Sequence, residues 1–293
     1  MVQDHDHSYR RLFSHPEMVR DLLIGYVREE WVAGLDFATL EKVNASYVTD
    51  DLRSRHDDVV WRVRWGEQWL YVYLLLEFQS TIDRHMAVRM LAYVALLYQD
   101  LLRQDPTLAH RSLPPVLPIV LYNGEARWTA PRDIEELIER VPGGLEAYRP
   151  SLRYLLLDEG ELLGGDTPAP PEVENLAQAL FRLEHSRDER DMLAVLGRLV
   201  AWLQAPEQAS LRRAFVTWLK RVYLRRGHIP ESDARVLDQT HELEEVQDML
   251  AERVERWYER WKDEGKREGK LEGKLEGEAG LLLWQIEQKF GSA

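Results

Sequence analysis

Two carboxylates and an amide, Asp58, Glu77 and Gln79, stand in a pattern suited to binding a divalent cation. The stretch from Asp57 to Ser80, DDVVWRVRWGEQWLYVYLLLEFQS, reads as two strands joined by a tight turn at Gly66-Glu67. Such a turn pairs Trp65 with Gln68. Counting back along both strands sets Asp58 opposite Leu75 and diagonal to Glu77 on one face of the sheet. At that spacing two carboxylates can share a cation. Gln79, two residues beyond Glu77, shares its face, whereas Asp57 and Phe78 point to the other side.

The same alternation sorts the hairpin. One face, expected to be core, carries Val59, Trp61, Val63 and Trp65 with Leu70, Val72, Leu74, Leu76 and Phe78. The other carries Asp58, Val60, Arg62 and Arg64 beside Trp69, Tyr71, Tyr73, Leu75, Glu77 and Gln79, and reads as a polar, aromatic surface with carboxylates at one end. Around it the chain supplies a helix after Ser14, with Pro16 in its first turn, and a strand over Leu40 to Val48. An amphipathic helix follows from about Arg84 to Arg103, capped by Thr81 or Asp83. The apolar run Pro114 to Tyr122 has the character of a buried strand ended by Asn123-Gly124, and Ser151 to Leu157 is a further strand. A short acidic helix is expected between them, over Pro131 to Val141. This order suits an α/β fold with a mixed central sheet flanked by helices.

An Asp on one strand with Glu-x-Gln on the next resembles the PD-(D/E)XK nuclease site, with Gln where Lys is usual. The wider series is more specific: RHDDVVWRV, LLLEFQS, Met86-x-x-Arg89-x-x-x-Tyr93, then LPIVLYNGEARW, preceded by HDHSYRRLF and followed by a glycine-repeat tail. It resembles the recombination-promoting nuclease family, also called YhgA-like transposases, over most of the chain. The resemblance implies a restriction-endonuclease-like core and a metal-dependent DNA endonuclease that promotes recombination. Asp58 and Glu77 would then hold Mg²⁺, or Mn²⁺ or Ca²⁺ in its place, with the Phe78 carbonyl as a further oxygen ligand. Gln79 would orient the attacking water by hydrogen bonds without supplying the charge of a lysine. Asp6, Tyr9 and Arg10 match the family's opening motif, which assigns them no role here. The alternative is a DNA-binding or oligomeric interaction protein whose nuclease site is weakened or inactive.

Arg89 and Tyr93 lie one helical turn apart. Arg89 either aims at a phosphate, held by Tyr93, or is a surface arginine packed on a half-buried tyrosine. The net charge of −13 weighs against a polyanionic partner, yet Arg53, Arg55, Arg62, Arg64, Arg84 and Arg89 gather near the proposed site, and binding depends on the local field. Of the 293 residues 45% are hydrophobic, enough for a sizeable core. There is no cysteine, which excludes disulfides, thiolate zinc sites and a Cys nucleophile, and fits a reducing cytoplasm. No apolar stretch approaches a membrane span in length. His5, Asp6 and His7 read as a metal cluster or as a solvated terminal run.

The expected organisation is a nuclease-like domain over 1–165, a helical region over 166–262 and a repeat tail over 263–293. The helical patterns run over Val173 to Leu183, Arg187 to Gln204, Gln208 to Arg226 and His241 to Lys262. In the tail Glu-Gly recurs with a period of four from Glu264 to Gly277, leaving either a flat stripe for a partner helix in a homo-oligomer or a flexible charged linker.

Overall fold

The computed structural model describes residues 2–43, 59–77, 82–124, 126–141, 143–164, 174–186, 189–225, 237, 239–253 and 255. Helices α1 (Val2–Leu12) and α2 (Pro16–Tyr26) precede β1 (Leu35–Lys42) and the hairpin β2 (Val59–Trp65) and β3 (Gln68–Glu77). Then come α3 (Met86–Gln104), β4 (Val116–Tyr122), β5 (Leu155–Asp158) and α4 (Glu159–Gly164). The helices α5 (Leu176–His185), α6 (Glu189–Trp202) and α7 (Ala209–Arg225) complete the named elements. Residues 243–253 are also helical.

The five strands form one mixed sheet in the order β1-β2-β3-β4-β5. β1, β2 and β3 are antiparallel neighbours, while β4 runs parallel to both β3 and β5. The hairpin register is the expected one, from Trp65↔Gln68 to Val59↔Leu74. Gly66, at φ 60°, supplies the positive φ that a two-residue turn of this kind needs at its first position. Parallel strands cannot be joined by a hairpin, and α3 makes the crossover between β3 and β4. Covered on both sides, β4 and β5 are continuous apolar runs.

One face of the sheet, with Val59, Trp61, Val63, Leu70, Val72, Leu74, Ile119, Leu121 and Leu157, packs into a core shared with α1, α2, α5, α6 and α7. This core runs without a break past residue 166, and the buried Leu243, Val246, Met249 and Leu250 belong to it. The Trp61 indole N–H, buried there, donates to the carbonyl of Phe13 at 3.0 Å.

The opposite face is a correction to the sequence reading. Val60, Tyr71, Tyr73 and Leu75 form a second core under α3, against Met86, Ala87, Met90, Tyr93, Leu97 and Leu101. The apolar stripe of α3 needs a partner, and ring-bearing residues can line a buried face, so aromatic alternation did not mean solvent exposure. Among the described residues of that face, the turn-proximal Arg62, Arg64 and Trp69 are half-exposed.

Local boundaries differ too. β1 starts at Leu35, five residues before the expected strand. The Ser14 hydroxyl donates to the Arg10 carbonyl at 2.6 Å and closes α1, so His15, whose side chain makes no capping bond to the first turn of α2 and lies instead 3.0 Å from the Arg11 carbonyl and from Ser210 Oγ, stands at the start of α2. The opening HDH run lies within α1. Between β4 and β5 the expected acidic helix is a single 3-10 turn, Ile134–Leu137, with the Asp133 carboxylate accepting from the Glu135 N–H.

Candidate active site

Glu77 closes β3, its main chain paired with Tyr122 at the end of β4, and Tyr122 is paired in turn with Asp158 at the end of β5. Residues 75–77 of β3 pair with residues 120–122 of β4. Asp58, Phe78 and Gln79 lie outside the described residues, as do Asp57 and the side chain of Glu77. Among the described residues no three His, Cys, Asp or Glu side chains are grouped to hold a metal. The candidate donors, two carboxylates and a carbonyl, are hard oxygen ligands of the kind that Mg²⁺ and Mn²⁺ take.

The loop after β4 is braced from several directions. The Tyr122 hydroxyl donates to the Ala126 carbonyl at 2.8 Å, and a Cβ added at Gly124 would lie 2.0 Å from that hydroxyl. Only glycine leaves room there. Trp128 meets Tyr122 edge to face at 4.9 Å and donates its main-chain N–H to Asp158 Oδ2 at 3.3 Å. Asp158 Oδ1 accepts from the main-chain N–H of Gly160 and Glu161, so this one carboxylate joins the loop to the start of α4.

The arginines fall in two places. On the hairpin, Arg64 and Arg62 stack on Trp69 at 4.1 and 4.5 Å from the ring centroid. Register explains this, since Arg64 is directly opposite Trp69. Arg62 also pairs with Glu41, and Arg64 donates to the Glu67 carbonyl at 2.8 Å. On α3, Arg89 pairs with Asp83 at 3.2 Å and lies 6.0 Å from the Tyr93 ring. Tyr93 itself is 3% exposed and stacks on Tyr73 at 5.7 Å, an element of the second core.

Of the opening motif, the Asp6 side chain lies outside the described residues and Arg10 is half-exposed. Tyr9 is fully buried. Its hydroxyl donates to Glu159 Oε2 at 3.4 Å. Glu159 is equally buried, with His185 Nδ1 3.7 Å away. Burial, reinforced by Glu184, pushes the Glu159 carboxyl well above the usual carboxylate range, and burial raises the Tyr9 phenol likewise. Asp158, Glu159 and His185 were not singled out from the sequence. Their partners are as many as 150 positions apart, and the only local signal is a pair of acids directly after an apolar strand.

Comparison with known proteins gives a consistent picture. The chain is 32% identical over 120 residues to recombination-promoting nuclease RpnD of Escherichia coli O157:H7, covering 41% of this chain and 45% of that protein. It is 25% identical over 236 residues to recombination-promoting nuclease RpnC of Escherichia coli (strain K12), covering 78% and 72%. It is also 28% identical over 207 residues to the inactive recombination-promoting nuclease-like protein RpnE of the same strain, covering 68% and 64%. The match to RpnD thus spans less than half of that relative's length. No solved structure matches. The five-stranded mixed sheet with its helices is compatible with a restriction-endonuclease-like core. The family described as "Putative transposase, YhgA-like" matches residues 3–212, well over half of the 293, and the chain belongs to that family.

Proposed function

We propose that the chain is a metal-dependent DNA endonuclease that acts in recombination. The observation carrying this reading is the hairpin register, Trp65↔Gln68 to Val59↔Leu74, which is the register on which the pairing of Asp58 with Glu77 is expected, in a family whose relatives include named nucleases. Asp58 and Glu77, with the Phe78 carbonyl, would hold Mg²⁺ or Mn²⁺. Such an ion, when bound, makes a water acidic enough to attack and offsets charge on the phosphate. Gln79 would orient that water through its amide. Arg62 and Arg64, projecting from the half-exposed end of the hairpin, would take the DNA backbone, and Arg89, fixed by Asp83 and Tyr93, would contribute positive potential. Among the described residues no helix is long and apolar enough to cross a membrane, and we place the protein in the cytoplasm.

A second reading has a specific observation behind it: a relative named inactive, and Gln rather than Lys at position 79. On that reading the chain binds DNA or assembles without cutting. The glycine-repeat tail would serve self-association in either case, so deleting residues 264–293 should lower the mass seen by light scattering. Divalent-metal-dependent nicking of supercoiled plasmid by the purified chain separates the readings. Activity lost on chelation and in Asp58→Ala supports the nuclease; DNA binding without nicking supports the second.

A further inference from the structure

The corner where α1 ends is tied to the sheet by two neighbouring residues. Lys42 and Trp61 are register partners across β1 and β2, so their side chains leave the same face. The buried Trp61 indole holds the Phe13 carbonyl at 3.0 Å, and the Lys42 ammonium donates to the hydroxyl of the next residue, Ser14, at 2.7 Å. That hydroxyl donates in turn to the carbonyl of Arg10. Arg10 precedes Ser14 by one helical turn and so shares its side.

The ammonium has three donors, and the bond to Ser14 uses one of them. Lys42 is exposed, and Arg10 is half-exposed. Among the described residues neither is ion-paired with a carboxylate. Glu41, the residue before Lys42 on β1, is taken by Arg62 on the opposite face. Partial burial, joined by the charge of Arg10, holds the Lys42 ammonium below its usual range. Cations gathered without an acid between them create a positive potential that an anion would relieve.

The place of this corner points to the anion. β1 is an edge of the sheet, with Arg62 on one side of it and Lys42 and Arg10 on the other. We propose that Arg10, Ser14 and Lys42 form a phosphate-binding subsite, which takes a backbone phosphate of DNA whose path continues from the hairpin arginines over the β1 edge. Lys42, oriented by Ser14, supplies a point charge, and Arg10 supplies the forked donors that match a phosphate. The DNA as ligand rests on the reading given under the proposed function, whereas an anion site at this corner does not.

Two measurements on the full chain test this, both without divalent metal so that no cleavage intervenes. In the first, Lys42 of the wild-type protein is acylated with an amine reagent and followed by mass spectrometry. Inorganic phosphate should slow the labelling relative to chloride at equal ionic strength, and a DNA duplex should slow it further. In the second, the double variant Arg10→Gln, Lys42→Gln is compared with wild type by fluorescence anisotropy on a labelled duplex. The slope of log K against log salt should fall in magnitude by about 1, because the two cations share one phosphate, and Lys42→Arg should keep the wild-type slope. Labelling of Lys42 unchanged by both phosphate and DNA overturns the proposal, as does an unchanged slope in the double variant. Slowing by phosphate but not by a duplex that the chain binds assigns the corner to free phosphate and overturns its place on the DNA path. Slowing by phosphate in a chain that binds no DNA supports the anion site, and it is the DNA reading that fails. Should the double variant not fold, the labelling of the wild type decides.

Discussion

Asp21 accepts the main-chain N–H of Leu176 at 2.7 Å, across 155 positions of sequence, while Asn175 donates its side-chain amide to the Asp21 carbonyl at 2.8 Å. Asn175 also caps α5 by accepting from the Gln178 N–H. Through this pair the first turn of α5 is bolted to α2, and with it the helices that cover one face of the sheet.

Asp21→Ala leaves a buried N–H unpaired. It should destabilise the protein by about 1–3 kcal/mol in urea unfolding. Asn175→Ala removes both the cap and the reciprocal bond, so the double variant should cost less than the sum of the singles. Additive costs would mean that the two residues act independently.

The buried Glu159 predicts a pH dependence. Its folded-state pKa is raised, chiefly by burial, so its contribution is fully present below the ordinary carboxylate range and is lost as pH rises through the folded value. Stability should therefore decline as pH rises above the ordinary carboxylate range, by at most about 1.4 kcal/mol per pH unit for one proton. Glu159→Gln should flatten that slope in thermal unfolding. Asp21, also raised by burial, keeps part of it. A slope identical in Glu159→Gln and wild type would show that Glu159 does not carry the effect.

The Arg62–Glu41 pair holds one cation of the hairpin. If this end takes the DNA backbone, Arg64→Ala should weaken binding for every sequence and reduce the slope of log K against log salt by about 1. Glu41→Gln should strengthen binding, because it releases Arg62 and removes a negative charge. Fluorescence anisotropy at several salt concentrations reads both, and no change in either variant would place the DNA path elsewhere.

Gln79 is the departure from the usual motif. Gln79→Ala should lower cleavage while leaving metal affinity mostly unchanged, since the anionic ligands remain; Gln79→Lys should be at least partly active. Single-turnover cleavage at saturating Mg²⁺, with Mn²⁺ affinity by calorimetry, tests this. Wild-type cleavage by Gln79→Ala would remove the amide from the mechanism.

The hairpin was legible because period-two alternation and a Gly-containing turn determine register together, and Trp65↔Gln68 follows from them. The same alternation could not tell a solvent face from a second core, since Tyr71, Tyr73 and Leu75 are buried by α3, whose docking is a tertiary event. β1 was misplaced because its polar residues, Asp36 and Thr39, interrupt the apolar pattern, with an irregularity between Asp36 and Glu41. The Tyr9–Glu159 pair was invisible for another reason: it joins α1 to the first residue of α4, 150 positions away, and no local period links them.

The central claim is that Asp58 and Glu77 form one metal site for phosphodiester cleavage, and the most direct measurement is metal-dependent nicking by matched variants. Purified wild-type chain should nick supercoiled plasmid with Mg²⁺ or Mn²⁺ and stop on chelation. Asp58→Ala and Glu77→Ala should each lose both nicking and Mn²⁺ binding, with unfolding transitions like wild type. Nicking that persists at the wild-type rate in either variant, or a wild-type chain that binds neither Mg²⁺ nor Mn²⁺, would contradict the account.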